Sequence, residues 1–242
     1  MNMKGRFVCL LKMALGSLRD LFFTRECIVC GAVLSSGERH LCADCLDDLP
    51  LTYFWCRREN PAMELLAGRC HLQDAASLFF YRHESDYADC VRRFKYQADV
   101  ALGAYMASML GCFLASSQYY SGVQAVVPVP LHPFKRLKRG FNQSDVIAEE
   151  VARCLPGCRV EKHLLKRRRY TSTQTRKSSG EREVNVSGAF ALNRKVAARL
   201  EKEGVRSILV VDDVLTTGST LAACIRLLDG KFEVRAATLG FA

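Results

Sequence analysis

Short apolar runs alternate along most of the chain with longer stretches in which apolar residues recur every three or four positions. The short runs are rich in β-branched and aromatic residues, which is typical of buried strands. The longer stretches have the spacing of amphipathic helices. Strands that alternate with helices predict an α/β fold with a mainly parallel sheet flanked by helices.

Four segments are predicted strands: 75–83, 123–131, 207–213 and 233–242. The predicted helices lie between them, within DYADCVRRFKYQ, DVALGAYMASMLGCFLASS, SDVIAEEVARCL, ARLEKEG and STLAACIRLLDG. In the second helix, one face should carry Leu102, Met106, Met109 and Phe113. The third helix should begin with Ser144 as its N-cap, because a serine side chain can accept a hydrogen bond from the first turn.

The chain has 242 residues, enough for one large domain or for one domain and a small module. We expect an N-terminal module over 1–60, a linker over 61–74 and the α/β domain over 75–242. The first 27 residues look like a signal peptide, but Lys12 and Arg19 interrupt their apolar stretch. An amphipathic helix is the preferred interpretation. No apolar run reaches the roughly 18 residues that span a bilayer, so we expect a cytoplasmic protein.

Twelve cysteines are many for a chain without a secretion signal, where a disulfide framework is not expected. Four of them form two C-x2-C pairs separated by eleven residues: Cys27, Cys30, Cys42 and Cys45. Two residues between thiolates allow one tight turn to offer both sulfurs to one ion, and four thiolates suit a closed structural Zn²⁺ site. The sequence therefore predicts a zinc knuckle.

Free thiols and an iron–sulfur cluster are the alternatives to zinc at these cysteines. His40 lies in the intervening loop and could replace one ligand, although a solvated histidine is the simpler interpretation. Cys56 and Cys70 each lack a C-x2-C partner, so a second metal is not expected.

The formal net charge of +10 favours anionic ligands such as phosphates, nucleotides or nucleic acid. A basic surface without a specific partner is equally compatible with that charge. The motif SILVVDDVLTTGSTL narrows the choice, because it places Asp212 and Asp213 where a predicted parallel strand ends. Ligands of open α/β sheets bind at that edge.

The loop after the two aspartates has the composition of a phosphate site. Gly218 allows close approach of the backbone, and the following helix N-terminus favours negative charge. Ribose hydroxyls, or a hydrated Mg²⁺ brought by the substrate, would suit the adjacent carboxylates. A sugar 5-phosphate is the predicted ligand; the alternative is that the aspartates only cap the helix. The hydroxyl-bearing and glycine residues of the loop are Thr216, Thr217, Gly218, Ser219 and Thr220.

The same motif resembles the phosphoribosyl pyrophosphate (PRPP) motif of type I phosphoribosyltransferases. With three further blocks, the chain resembles the ComF family over nearly its full length. Those blocks are CIVC…CADC, VVPVPLHPFKRLKRGFNQS and TQTRKSSGEREVNVSGAF. The resemblance implies a type I phosphoribosyltransferase fold, Mg²⁺-dependent transfer of ribose 5-phosphate to a nitrogen acceptor, and a role in competence. It assigns the catalytic electrostatic role to Asp212 and Asp213.

The second and third blocks supply the cations expected on the pyrophosphate side. In the second block these are Lys135, Arg136 and Arg139, whose alternative is a basic surface turn. The third block resembles a loop that closes over the substrate and excludes water. Its candidates are Arg176, Lys177 and Arg182, for which nucleic-acid contact is the rival role.

The chain also departs from amidophosphoribosyltransferases, which begin with a glutaminase domain and a catalytic cysteine. Asn2 follows the first methionine here, so glutamine hydrolysis is not expected. The rival to an enzyme is a binding module for single-stranded DNA or a competence helicase that keeps the phosphate pocket; a PRPP sensor is a third class. The acceptor and the oligomeric state stay open, and a homo-oligomer is compatible with the sequence.

Overall fold

The computed structural model describes residues 25–168 and 188–242. The helix expected at the start of the chain therefore lies almost wholly outside the described residues. The chain divides into two compact units, with the boundary between Leu49 and Pro50. The predicted linker 61–74 falls in the second unit, where residues Pro61–Ala67 form a helix.

Over its described residues, 25–49, the first unit consists of turns and one short helix. An antiparallel bridge joins Glu26 to Val33, and the chain then returns to helix α1, Ala43–Asp47. Few apolar side chains are buried within residues 25–49, among them Leu34 and Leu41. A segment of this size buries too little apolar surface to fold on its own core, so it needs another source of stability.

The second unit contains a five-stranded sheet in which every pair of neighbouring strands is parallel. The strands, named in chain order, are β1 Asp74–Phe80, β2 Ala125–Pro128, β3 Arg159–Val160, β6 Ser207–Leu215 and β7 Glu233–Phe241. Across the sheet the order is β1-β7-β6-β2-β3, which places β6 in the middle. The predicted α/β class with a mainly parallel sheet is confirmed.

Burial explains why these segments form strands. Residues 208–211 of β6 are all buried, as expected for a strand covered on both faces by helices. The register pairs Val211 with Pro128 on one side and with Ala237 on the other. The carboxyl ends of β2, β6 and β7 therefore reach the same edge of the sheet.

Helices α2 to α8 belong to the second unit. Helix α4 buries Leu102 and Met106 as predicted, whereas Met109 and Phe113 are only half-buried. Phe113 is covered instead by Trp55, whose ring stacks on it at 4.5 Å between centroids. The bounds are α2 Pro61–Ala67, α3 Ala88–Tyr96, α4 Val100–Ser116, α5 Pro133–Arg139, α6 Gln143–Cys154, α7 Arg194–Lys202 and α8 Ser219–Arg226.

Several elements differ from the sequence prediction. The N-cap of helix α6 is Asn142, two residues before the predicted Ser144, so the prediction of Ser144 as its N-cap is wrong. The basic segment after β2, which was a candidate turn, forms the short helix α5. Two further strands, β4 Leu165–Arg167 and β5 Phe190–Leu192, form a small antiparallel pair that the pattern did not indicate. Strands of three residues are too short to show a period.

Candidate functional site

The four cysteines of the two C-x2-C pairs come together in the first unit. Their sulfur atoms all lie within 4.8 Å of one another. Gly31 follows the first pair with φ of +75°, a conformation that glycine adopts without strain. Cys42 is the N-cap of α1 and accepts a hydrogen bond from the Cys45 amide, so the helix start orients the second pair.

The surroundings of these sulfurs favour a thiolate at Cys27 and disfavour one at Cys42 and Cys45. Burial alone would raise the pKa of Cys27, but backbone N–H groups directed at its sulfur outweigh it and lower that pKa to about 6. Burial and the neighbouring thiols raise the pKa of Cys45. Without a cation, four sulfurs this close cannot all ionise, whereas a tetrahedral Zn²⁺ stabilises all four as thiolates. The donor set and its spacing therefore fit one zinc ion.

Histidine does not take part in this cluster. Within residues 25–168 and 188–242, these four cysteines form the one group of three or more metal-binding side chains. His40 is outside that group, although its carbonyl accepts a hydrogen bond from the Ile28 amide. Cys56 is exposed and Cys70 half-buried, and neither belongs to a second group in the described part of the chain.

The second candidate site lies at the carboxyl edge of the sheet, where β6 carries both aspartates. The strand continues through Asp212 and Asp213 to Leu215, two residues beyond its predicted end. Helix α8 starts only at Ser219, and its N-cap is Gly218. The alternative that the aspartates cap this helix is therefore wrong, since a capping side chain belongs to the residue that precedes the first turn.

Asp212 is held by two hydrogen-bond donors. The Ser144 hydroxyl donates to its Oδ1 at 3.0 Å, and the Asp213 amide donates to the same oxygen at 2.9 Å. Burial, followed by repulsion from Asp213, raises the pKa of Asp212 to about 7. These hydrogen bonds and the charge of Lys95 counteract only part of that shift. The carboxyl group is thus restrained in position while its charge is destabilised.

Asp213 has a cationic partner. The Lys95 ammonium lies 3.2 Å from its Oδ1, and the two side chains are 20% and 18% exposed. Lys95 comes from α3, the helix that follows β1, so the two residues are brought together only by the fold. The sequence analysis missed both Lys95 and the role of Ser144, because a contact between distant residues leaves no local spacing to detect.

The loop after β6 surrounds a small pocket of about 40 Å³ lined by residues 214–221 together with Asp212. A water molecule needs roughly 10–15 Å³ of such space, so the pocket accommodates about three oxygen-sized groups. Gly218 has φ of +72°, and the Thr217 and Ser219 hydroxyls lie 3.1 Å apart. The first amides of α8 have no acceptor within the helix, which is the general property that makes helix starts suited to anions. The five predicted loop residues all line the pocket.

The predicted pyrophosphate-side cations of the second block lie on α5, which follows β2 beside β6. Arg139 donates to Gln143 Oε1 at 3.1 Å, and its guanidinium lies 5.4 Å from the ring centroid of Tyr96. Arg136 is exposed, and the structure describes only the backbone of Lys135. Arg176, Lys177 and Arg182 lie outside the described residues.

The described residues contain no helix that is both long and apolar enough to cross a membrane. Phe241, near the end of β7, packs edge-on against Phe54 with ring centroids 5.3 Å apart.

Comparison with known proteins gives relatives of closely matching length. The chain is 30% identical over 212 residues to DNA utilization protein YhgH of Salmonella typhimurium, covering 84% of this chain and 89% of that protein. It is 27% identical over 216 residues to Competence protein F of Haemophilus influenzae, covering 86% and 92%. DNA utilization protein YhgH of Escherichia coli K12 is 29% identical over 209 residues, covering 84% and 83%. No protein-family profile matches the chain.

Proposed function

Because this chain belongs to the ComF family, we propose that it binds PRPP with Mg²⁺ at the carboxyl edge of its sheet and transfers ribose 5-phosphate to a nitrogen acceptor. The observation that carries this proposal is the arrangement at the end of β6. Two adjacent carboxylates are followed by a hydroxyl-rich pocket at a helix start. A sugar phosphate offers the matching groups, namely ring hydroxyls for the carboxylates and a 5-phosphate for the pocket.

The 5-phosphate would lie in the pocket of residues 216–220. Amides at the start of α8 and the hydroxyls of Thr217 and Ser219 would donate to its oxygens. Ribose hydroxyls would donate to Asp212 and Asp213, which fixes the sugar relative to the phosphate. Binding both ends of the ribose phosphate orients the anomeric carbon before reaction.

Departure of pyrophosphate leaves positive charge on the ribosyl ring. The two carboxylates would stabilise that charge, and such stabilisation is greater in a sheltered site than in water. Asp212 and Asp213, together with the substrate's phosphates, would offer Mg²⁺ the hard oxygen ligands it prefers, and the ion would neutralise charge on the leaving group. The cations Lys135, Arg136 and Arg139 of α5, with Arg176, Lys177 and Arg182, would bind pyrophosphate. The chain supplies no covalent nucleophile in this mechanism.

The names of the relatives support a role in the uptake or use of DNA. We extend that role to this chain, with an acceptor that is still to be identified and with single-stranded DNA or a competence helicase as partner. The four-cysteine cluster would hold one structural zinc ion. We place the protein in the cytoplasm, where reducing conditions preserve zinc-bound thiolates.

One observation favours a second candidate function, a nucleic-acid-binding module that retains the phosphate pocket without turnover. Helix α5 exposes Phe134 and Leu137, which are 71% and 83% accessible, between basic residues. Aromatic and basic side chains together are typical of surfaces that bind single strands.

Calorimetric titration with PRPP and Mg²⁺, followed by a pyrophosphate-release assay over a panel of nitrogen acceptors, tests the proposal. We expect binding below millimolar concentration and release that depends on the acceptor. Absence of PRPP binding at millimolar concentration would refute the phosphoribosyl function. Salt-dependent binding of single-stranded DNA in the same preparation would then support the module instead.

A further inference from the structure

Lys95 occupies a position that neither the motifs nor the proposed reaction accounts for. Its side chain is four-fifths buried and forms an ion pair with Asp213 at 3.2 Å. By contrast Arg92, one turn earlier on α3, pairs with Asp89 at the surface, where the side chains are 51% and 44% exposed. Exposed pairs of that kind contribute little, whereas a sheltered ammonium beside two carboxylates affects any ligand that binds there.

The backbone of Lys95 is tied to the cations of α5. Gln143 donates through Nε2 to the Lys95 carbonyl at 3.4 Å, and Gln143 Oε1 accepts from Arg139. Lys95 is therefore linked both to the aspartates through its side chain and to the pyrophosphate-side helix through its backbone. The Arg139 guanidinium also lies against the ring of Tyr96, the next residue in the chain.

The Lys95–Asp213 ion pair is expected to contribute less when substrate occupies the site. In the free protein Lys95 compensates the charge of Asp213. When a ribose hydroxyl donates to Asp213, the ammonium can direct its N–H groups to another acceptor, and its flexible four-carbon stem allows the movement. The substrate itself brings the acceptor, because PRPP carries a diphosphate on the anomeric carbon.

We propose that Lys95 is a substrate-binding residue that exchanges Asp213 for an anionic oxygen of the pyrophosphate group. This inference rests on the proposed function and assigns a residue and a ligand group within that site. Lys95 then serves two states of the protein, balancing the aspartates when the site is free and binding the leaving group when it is filled.

The test compares three ligands on the Lys95→Met protein: PRPP with Mg²⁺, inorganic pyrophosphate with Mg²⁺, and ribose 5-phosphate. Loss of a hydrogen bond to a charged group should weaken PRPP and pyrophosphate by roughly 10- to 100-fold. Ribose 5-phosphate lacks the diphosphate, so its affinity should change less than threefold. Lys95→Arg keeps the charge and should retain PRPP affinity within about tenfold, and Arg92→Met is the matched control on the same helix.

The outcomes separate this inference from the proposed function. If the wild type binds none of the three ligands, the proposed function fails and Lys95 has no such role. If the wild type binds PRPP but Lys95→Met weakens all three ligands equally, Lys95 only positions Asp213 and the inference is overturned. Unchanged PRPP affinity in a folded Lys95→Met protein overturns it as well. Should that variant fold poorly, Lys95→Gln gives the same comparison.

A different observation supports a second inference, independent of PRPP. The sulfur atoms of Cys112 on α4 and Cys154 on α6 lie 3.8 Å apart, and Cys112 is exposed. The approach is close because Gly111 has no side chain: a Cβ there would lie 2.8 Å from the Cys154 sulfur. We infer that this pair is a redox modification site, in which a hydroperoxide links α4 to α6 by a reversible disulfide.

The step is balanced as follows. The Cys112 sulfur attacks the terminal oxygen of hydrogen peroxide, which breaks the O–O bond, gives a sulfenic acid and releases water. The Cys154 sulfur then displaces the hydroxyl group, forming the S–S bond and a second water, so that two thiols are oxidised and one peroxide is reduced. The cross-link encloses β2, α5 and all of α6, a helix whose first turn carries Ser144, the hydrogen-bond donor to Asp212.

Titration of the zinc-loaded protein with hydrogen peroxide, followed by peptide mass spectrometry, tests this site. We expect a Cys112–Cys154 cross-link that forms first, is reversed by a thiol reductant and raises the melting temperature by several degrees. In Cys154→Ser, Cys112 should proceed to a sulfinic acid, while Cys158→Ser should behave as the wild type. Sulfinic acid at Cys112 of the wild type without any cross-link would overturn the inference.

Discussion

The four-cysteine cluster and the site around Asp212 and Asp213, here called the edge, both gather side chains that can carry negative charge. They differ in what compensates that charge. In the cluster, four sulfurs within 4.8 Å of one another surround one central position. At the edge, Asp212 receives two hydrogen bonds and Asp213 one ammonium, and the adjoining pocket stays open to solvent. In the cluster the four sulfurs would fill every coordination position of one metal ion. At the edge the charge of the aspartates is compensated by protein groups that a bound substrate can replace.

The cluster would stabilise the fold of its own unit through the metal, whereas the edge is positioned by a unit that folds without a ligand. Residues 25–49 of the first unit bury few apolar side chains, so a metal ion can supply most of the stability of that segment. The edge needs no ligand to form, because its side chains come from strand β6 and from helices α3 and α6, which pack on a buried core. Removal of a ligand side chain should therefore affect stability in the cluster and affinity at the edge.

The largest effect is expected in the cluster. Cys27→Ser removes one of four thiolates, and structural zinc contributes on the order of 10–16 kcal/mol in small modules. We expect loss of the zinc ion and unfolding of residues 25–49, with the second unit still folded. Metal analysis and hydrogen exchange measure the two parts separately, with the exposed Cys56→Ser as control. A wild type that contains neither zinc nor iron would contradict the metal assignment.

A smaller effect, on affinity instead of folding, is expected at the edge. Asp212→Asn combined with Asp213→Asn keeps the shape but removes the negative charge. Each lost hydrogen bond to a charged group costs roughly 1.5–3 kcal/mol, so PRPP affinity should fall by two or more orders of magnitude. Calorimetry measures this change, and Asp89→Asn on the exposed face of α3 is the control. Unchanged affinity in the double variant would place PRPP elsewhere.

Ionisation of Asp212 should lower the free energy of unfolding, and this effect should depend on pH. The folded-state pKa of Asp212 is about 7, above the ordinary carboxyl value of 3.8, so the folded protein binds more protons between pH 4 and 7. Its contribution to stability is therefore lost as the pH rises through that window. Asp212→Asn should match the wild type near pH 4 and exceed its free energy of unfolding by up to about 4 kcal/mol at pH 8.

Urea unfolding of both proteins from pH 4 to pH 8 checks that difference. The difference between the two curves removes the contribution of the titrating groups that do not interact with Asp212. A constant difference over the whole range would show that Asp212 is charged throughout.

The smallest effect concerns the loop backbone. Gly218→Ala places a side chain at φ of +72°, which costs roughly 1–2 kcal/mol, and its Cβ would lie 3.0 Å from a Leu66 methyl group. Gly204 has φ of +77° with no neighbour within 4 Å, so Gly204→Ala measures the backbone cost alone. Thermal melting of both variants separates the steric contact with Leu66 from the backbone strain that the two positions share, and Gly218→Ala should melt at the lower temperature. If Gly218→Ala melts at or above the temperature of Gly204→Ala, Leu66 moves aside without cost.

The sequence predicts the cluster better than it predicts the edge. All four sulfurs come from one stretch of nineteen residues, so their spacing alone indicates a common ion. The fold class also follows from local pattern, because long buried strands such as β6 and β7 have unmistakable composition. Cysteine spacing and strand composition are both local features of the sequence.

The edge depends on residues that are far apart in the chain. Lys95 and Asp213 are separated by 118 positions, and Ser144 and Asp212 by 68. Ser144 has the composition of a helix cap, but Asn142 precedes the first turn and the serine hydroxyl turns toward the carboxylate. Ser144 therefore makes a tertiary hydrogen bond to Asp212 instead of the predicted local cap, and this contact is visible only in the folded structure.

The position of β6 in the middle of the sheet has a consequence for local unfolding. Its backbone is hydrogen-bonded to β2 on one side and to β7 on the other, so the strand cannot detach without breaking two ladders. The amides of Val210 and Val211 therefore belong to the part of the protein that exchanges its hydrogens last, through global opening. The two aspartates that follow them are anchored to the most slowly exchanging strand, so their positions persist through the smaller fluctuations of the surrounding loops.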